Sequence, residues 1–174
     1  MPTQPTDKMA TELLHVQEEL AAKNVDADAP KKQAQRASHR LNFLEAMMET
    51  VPVGVVMADA EGKIIYGNSH VEKMVRHPVI HSDDVDAYGE WVSYHADGSR
   101  VQSHEYPLAR VIQNREDHVE IDVDYQRGDG TRFWMRIIGE PVLDGEGERI
   151  GATVALIDID EERRLREAQN ILIA

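Results

Sequence analysis

Hydrophobic and polar positions alternate most regularly in Val119-Glu-Ile-Asp-Val-Asp-Tyr125, where apolar residues trade places with acids. A period of two predicts a strand with one buried and one wet face. The tight turn Arg127-Gly-Asp-Gly-Thr131 leads to a second strand, Phe133-Trp-Met-Arg-Ile-Ile138. A further glycine turn, Asp144-Gly-Glu-Gly147, leads to a third over 149–158, so the three pair antiparallel. Upstream, Val53–Ala58 and Ile64–Gly67 flank the turn Asp59–Lys63 and predict a hairpin over 53–67. Between the hairpin and the three strands, Asn68 or Ser69 can cap a short helix through Val75. Residues 76–98 are loop-rich, and Glu105–Asn114 reads as a helix with Pro107 in its first turn. The sum is an α+β domain: a five-stranded antiparallel sheet covered on one face by short helices.

The flanks follow a different period. Met9, Leu13, Val16 and Leu20 are spaced four, three and four, which marks a short helix. Residues 24–30 end in Pro30 and predict a break. A second helix over 31–50 carries the stripe Ala34, Ala37, Leu41, Leu44, Met48 and Val51, and Pro52 stops it. At the other end the strand through Asp158 runs into a helical pattern with Leu165, Ala168 and Leu172 on one narrow seam. The expected organisation is a helix and linker (1–30), an incoming helix (31–50), a core (51–158) and the start of an outgoing helix (159–174). The incoming face, with Ala37, Leu41, Leu44 and Met48, either packs on its own domain or pairs with a second copy, and the same spacing at both ends favours a homodimer formed by helix pairing, coiled-coil fashion.

Composition narrows the function. The formal net charge is -13, which disfavours duplex nucleic acid and anionic membrane surfaces, since both are bound through Lys and Arg. Residues 51–158 hold 20 Asp and Glu against 10 Lys and Arg, so the core itself presents a solvated acidic surface. There is no cysteine, which excludes disulfides, thiolate zinc sites, thiol nucleophiles and any flavin-cysteinyl adduct. No apolar run approaches the roughly 18 residues of a membrane span, and the first residues are unlike a secretory signal. A cytoplasmic location is expected.

The candidate chemistry is sparse. His70, His77 and His81 lack the third close partner that a zinc site needs, so no metal is expected. Glu120, Asp122 and Asp124 share the wet face of one strand and read as surface charge, not an acid–base pair. Gly145-Glu-Gly147 is too short and too acidic to cradle phosphate. The aromatic residues Trp91, Tyr94, Tyr106, Tyr125, Phe133 and Trp134 either pack as ordinary core or line an apolar pocket, for which Trp91, Tyr106, Phe133 and Met135 are the candidates.

Several segments together resemble a PAS domain. Val51-Pro-Val-Gly-Val-Val-Met-Ala-Asp-Ala-Glu-Gly-Lys-Ile-Ile-Tyr-Gly-Asn68 is similar to the family's opening hairpin. Asp97-Gly98 with Glu105-Tyr-Pro-Leu108, then Gly128-Asp-Gly-Thr-Arg-Phe-Trp134, resemble its middle segment and later hairpin. Asp158-Ile-Asp-Glu-Glu-Arg163 resembles the terminal Asp-Ile-Thr-Glu-Arg junction, with Asp160 where the family has Thr. The likeness spans residues 42–163. It implies a sensory and dimerisation module of a cytoplasmic signalling protein, non-enzymatic in itself. The output most often attached is a histidine kinase of a two-component system, following residue 174. Asp158 and Asp160 would then couple the sheet to the outgoing helix, with Leu165, Ala168 and Leu172 as its relay seam. An unidentified small-molecule ligand fits this reading; haem does not, because the helix over 105–114 contains no histidine. The alternative is a constitutive dimerisation scaffold with no ligand.

Overall fold

Six strands form one antiparallel sheet, in which the strictly alternating segment Val119–Tyr125 pairs with a central strand. The computed structural model describes residues 5–173, apart from the side chains of 5–11 and 23–27. The chain divides after Met47 into two units. The first is made by helix α1 (Pro5–Thr50), whose last turn belongs to the second. The break expected over 24–30 is therefore corrected: the helix continues, with Pro30 inside it. Proline removes one i→i−4 bond and crowds the preceding turn. Ala21, Ala22, Ala27, Ala29, Lys31 and Lys32 around Pro30 are strong helix formers that offset that local cost. Leu13, Val16, Leu20, Leu41 and Leu44 are all exposed on α1, as are Ala34 and Ala37. Met9 falls among the side chains outside the described residues.

The second unit holds β1 (Gly54–Asp59), β2 (Ile64–Gly67), α2 (Ser69–Val75), β3 (Ser93–Tyr94), α3 (Pro107–Gln113), β4 (Val119–Gln126), β5 (Arg132–Leu143), β6 (Arg149–Asp158) and α4 (Asp160–Ile173). The sheet order is β2-β1-β6-β5-β4-β3. Five strands fall where the alternation places them. The sixth, β3, is two residues long and pairs Ser93 and Tyr94 with Tyr125 and Asp124 at the sheet edge. A segment that short carries no periodic signal; its partner strand makes it a strand. Two 3₁₀ turns, Val85–Glu90 and Ser103–Glu105, precede α3. The expected helix over 105–114 is thus shortened to Pro107–Gln113, with Pro107 in its first turn as predicted.

One sheet face is the core. Val56, Ala58, Val123, Tyr125, Phe133, Met135, Ile137, Val154 and Leu156 are all buried on it, beneath α2, α3 and the first 3₁₀ turn. Gly139 lets α3 sit down on the sheet, because a Cβ there would lie 2.9 Å from Pro107 Cβ. Gly62 closes the β1–β2 turn at φ +95°, a conformation that L side chains rarely adopt.

Asn68 ties the start of this unit together. Its Oδ1 accepts from Val55 N at 3.0 Å and from Val71 N at 3.3 Å. Its Nδ2 donates to Val53 O at 3.0 Å and to Met48 O at 3.5 Å. One buried amide thereby caps α2, holds β1 and fixes the chain leaving α1. The cap is Asn68, resolving the choice between it and Ser69.

Candidate functional site

Inward-facing residues of the sheet and the aromatic residues of the covering segments do not quite close. They leave an apolar cavity of about 50 Å³. Of the predicted pocket residues, Trp91, Tyr106 and Met135 line it. Phe133 is corrected: it lies behind the wall, edge-on to Tyr125 at 5.9 Å and beneath the Arg127 guanidinium at 4.0 Å. Tyr125, one of the aromatic candidates of the sequence, also lines the cavity, as do Tyr88, Ile137 and Leu156, which sequence reasoning did not single out for it. The strand alternation marks Tyr125, Ile137 and Leu156 as inward, but does not say which inward residues border a void.

The three lining tyrosines spend their hydroxyls elsewhere. Tyr88 Oη donates to Gly62 O at 2.6 Å, and Tyr106 Oη donates to Trp91 O. Tyr125 Oη lies 2.7 Å from His77 Nε2, while His77 Nδ1 lies 2.7 Å from Pro78 O. A carbonyl only accepts, so Nδ1 carries the proton and Nε2 accepts from Tyr125. Burial pushes all three phenols above their ordinary range, Tyr106 to about 12. Trp91 Nε1 is buried without a hydrogen-bond partner, and the surface lining the cavity is apolar. Among the described residues no group of three or more His, Asp or Glu is placed to hold a metal ion.

The second feature is the junction between β6 and α4, built from strand β5. Ile159 N donates to Trp134 O at 3.0 Å. Asp160 Oδ1 accepts from Trp134 N at 2.8 Å. Both backbone groups of one outward-facing residue are thus taken up by the junction. The Arg163 guanidinium stacks on the Trp134 ring at 3.7 Å. Asp158 Oδ1 caps the helix by accepting from Asp160 N at 3.0 Å, and its other oxygen lies 3.8 Å from Arg127 Nη2. Arg127 also donates to Met74 O at 2.9 Å, which brings the end of α2 to the same point.

Arg136, the cross-strand neighbour of Asp122, completes the attachment. It makes a two-pronged pair with Asp122 at 2.8 and 3.1 Å and reaches Glu162 on α4 at 3.3 Å. The bonds to Asp122 hold its guanidinium well above the ordinary arginine range. The structure therefore brings Asp158 and Asp160 together. Leu165 and Leu172 stay exposed farther along α4, with Ala168 between them. Trp134, an aromatic pocket candidate of the sequence, instead serves the junction and does not line the cavity, while Arg127, Arg136 and Arg163 escaped the sequence reading, because their partners are set by strand register.

A curled antiparallel sheet with helices on one face, an apolar cavity between them and a helix leaving the last strand define a small α+β fold. Residues 52–161 match the family described as PAS domain, and the chain belongs to it. A comparison with curated proteins finds no match. Among solved structures, the chain is similar to the PAS domain of an HTR-like protein from Haloarcula marismortui. There the identity is 15% and the TM-score 0.55, covering 74% of this chain and 99% of that one. It is similar to an RNA-binding Light-Oxygen-Voltage receptor at 18% identity and TM-score 0.56, covering 76% of this chain and 37% of the other. The PAS domain of the fruit-fly ELK potassium channel shares 13% identity with a TM-score of 0.53, covering 69% and 97%. At these identities the likeness is one of fold. No helix of the described residues is long and apolar enough to cross a membrane.

Proposed function

We propose that this chain is the sensory and dimerisation module of a cytoplasmic signal-transduction protein, with a histidine kinase as output, and that it passes a change in the sheet to α4. The observation that carries the reading is the double bond of Trp134 to Ile159 and Asp160, which fastens the first turn of α4 to a central strand. A shift of β5 therefore displaces the helix origin directly. The exposed Leu165, Ala168 and Leu172, with Ala37, Leu41 and Leu44 on α1, supply apolar seams for a second copy. Asp158→Ala in the parent protein tests the relay: altered output or altered signal response is expected, and neither changing refutes it. Light scattering tests the dimer, and a monomer at high concentration removes it.

The small cavity favours a second reading, a constitutive scaffold that senses nothing. Native mass spectrometry of gently purified protein separates the two, since a retained small molecule supports sensing.

A further inference from the structure

Helix α1 is continuous over Pro5–Thr50, and that continuity joins two separate stripes of the sequence. Leu13, Leu20, Ala34 and Leu41 are spaced by multiples of seven, as are Val16, Ala37 and Leu44. The first set takes position a of a heptad and the second position d, with the same phase on both sides of Pro30. All seven are exposed. A repeat of seven drifts by about 20° per heptad around a straight helix, so a second helix wound about the first is what covers the whole seam.

The flanking charges say which helix that is. Arg40 takes position g and Glu45 position e, both exposed. A parallel, in-register second copy sets g of one helix beside the next e of the other, so Arg40 meets the opposite charge twice, once on each side. An antiparallel pair would set Arg40 beside Glu19 instead. It would also send the two folded units to opposite ends of a helix roughly 70 Å long, where the Leu165, Ala168 and Leu172 seams of α4 cannot meet.

We propose that α1 pairs with α1 of a second copy as one parallel, in-register, two-stranded coil that runs through Pro30 and is oriented by Arg40 against Glu45 of that copy. The pairing rests on the dimer reading above and adds which positions meet and over what length. Pro30 itself takes a d position, so the seam is weakest at its middle.

The chain has no cysteine, so single introduced thiols report the geometry in the whole 174-residue protein. Like a positions face each other in a parallel pair, and like d positions do the same. Leu13→Cys and Ala37→Cys are each expected to form disulfide-linked dimers under mild oxidation, and His39→Cys, on the outer face, is not. In sedimentation equilibrium, Arg40→Glu should weaken the dimer roughly 3- to 10-fold, and adding Glu45→Arg should restore it. Linking at only one of positions 13 and 37 overturns the single register, and linking at 39 as strong as at 37 overturns the seam. An affinity unmoved by Arg40→Glu, or rescued by Glu19→Arg in place of Glu45→Arg, overturns the orientation. A dimer that links at neither 13 nor 37 overturns the pairing and leaves the dimer reading standing, whereas a monomer removes both.

Discussion

Removing the Asp160 carboxylate should loosen the first turn of α4 and its attachment to β5 while leaving the β1–β6 ladder in place. In Asp160→Ala, Trp134 N–H loses an ionised acceptor at 2.8 Å, an interaction worth about 1.5–3 kcal/mol. The helix also loses a carboxylate from its N-terminal turn, worth about 0.3–1 kcal/mol. Water can reach this half-buried amide and recovers part of the loss, so a net effect of about 2 kcal/mol is expected. At 1.4 kcal/mol per tenfold, local opening becomes about 30-fold more frequent. Amide exchange reads this directly at Trp134, at Ile159, which bonds Trp134 O, and at Arg163, which bonds Ile159 O. Their protection should fall about 30-fold while the β1–β6 ladder stays within about twofold. Asp160→Thr should restore roughly half of the loss, because a hydroxyl is an acceptor without the charge. Protection that falls less than about threefold in Asp160→Ala would show that the clamp does not hold the helix.

Four further outcomes follow from the geometry. Asn68→Ala removes the α2 cap and strands Val55 N–H and Val53 C=O; urea unfolding should lose about 3 kcal/mol, and a loss under about 1 kcal/mol contradicts the role. Arg149→Met frees the carbonyls of Val111, Arg115 and Glu116 that its guanidinium holds at 2.8–3.1 Å, so about 2 kcal/mol should go in the same assay, with α3 the first element to exchange. In alkali, the raised Tyr106 means that the folded state keeps its proton longer than the unfolded chain. Stability is then complete below pH 10 and falls as pH climbs towards about 12. Absorbance at 295 nm should show Tyr88, Tyr106 and Tyr125 ionising only with unfolding; five tyrosines titrating as one class would refute this. Met135→Leu combined with Asp160→Ala should depart from additivity by about 0.5 kcal/mol or more in a double-mutant cycle, whereas strict additivity separates the cavity from the junction.

The parts legible in the sequence are those with short-range causes. Val119–Tyr125 alternates because one face is wet, and the structure places it as β4. Asp59, Asp129 and Asp144 each accept backbone N–H bonds within their own turns, which is why Asp–Gly chemistry located the hairpins so well. Asp158 combines a local role as cap with a distant pairing to Arg127. What stayed illegible depends on register. Trp134 reads as one more strand aromatic until β5 is laid beside β6, with Met135 opposite Asp158. Arg136 and Asp122 are 14 residues apart in the chain and opposite each other only through the β4–β5 pairing. The same holds for Phe133, whose inward direction is plain but whose distance from the void is not.

Register also places the cavity and the junction closer together than a signalling path of many residues would. Met135 borders the cavity, and Trp134, its neighbour on β5, carries the junction on the opposite face of the sheet. Successive strand residues point to opposite faces, so a backbone shift that accommodates a molecule against Met135 must move Trp134 with it. Ile159 is the anchor's only fully buried side chain on the helix side, and beyond Arg163 the residues of α4 are exposed. The helix is thus attached at its origin by directional bonds and left unpacked along its length. On the proposed relay, a small rotation at Trp134 would be carried along a helix of 14 residues. Arg136 adds direction: it holds Asp122 and Glu162 together, so the outgoing helix is tied to β4 as well as to β5.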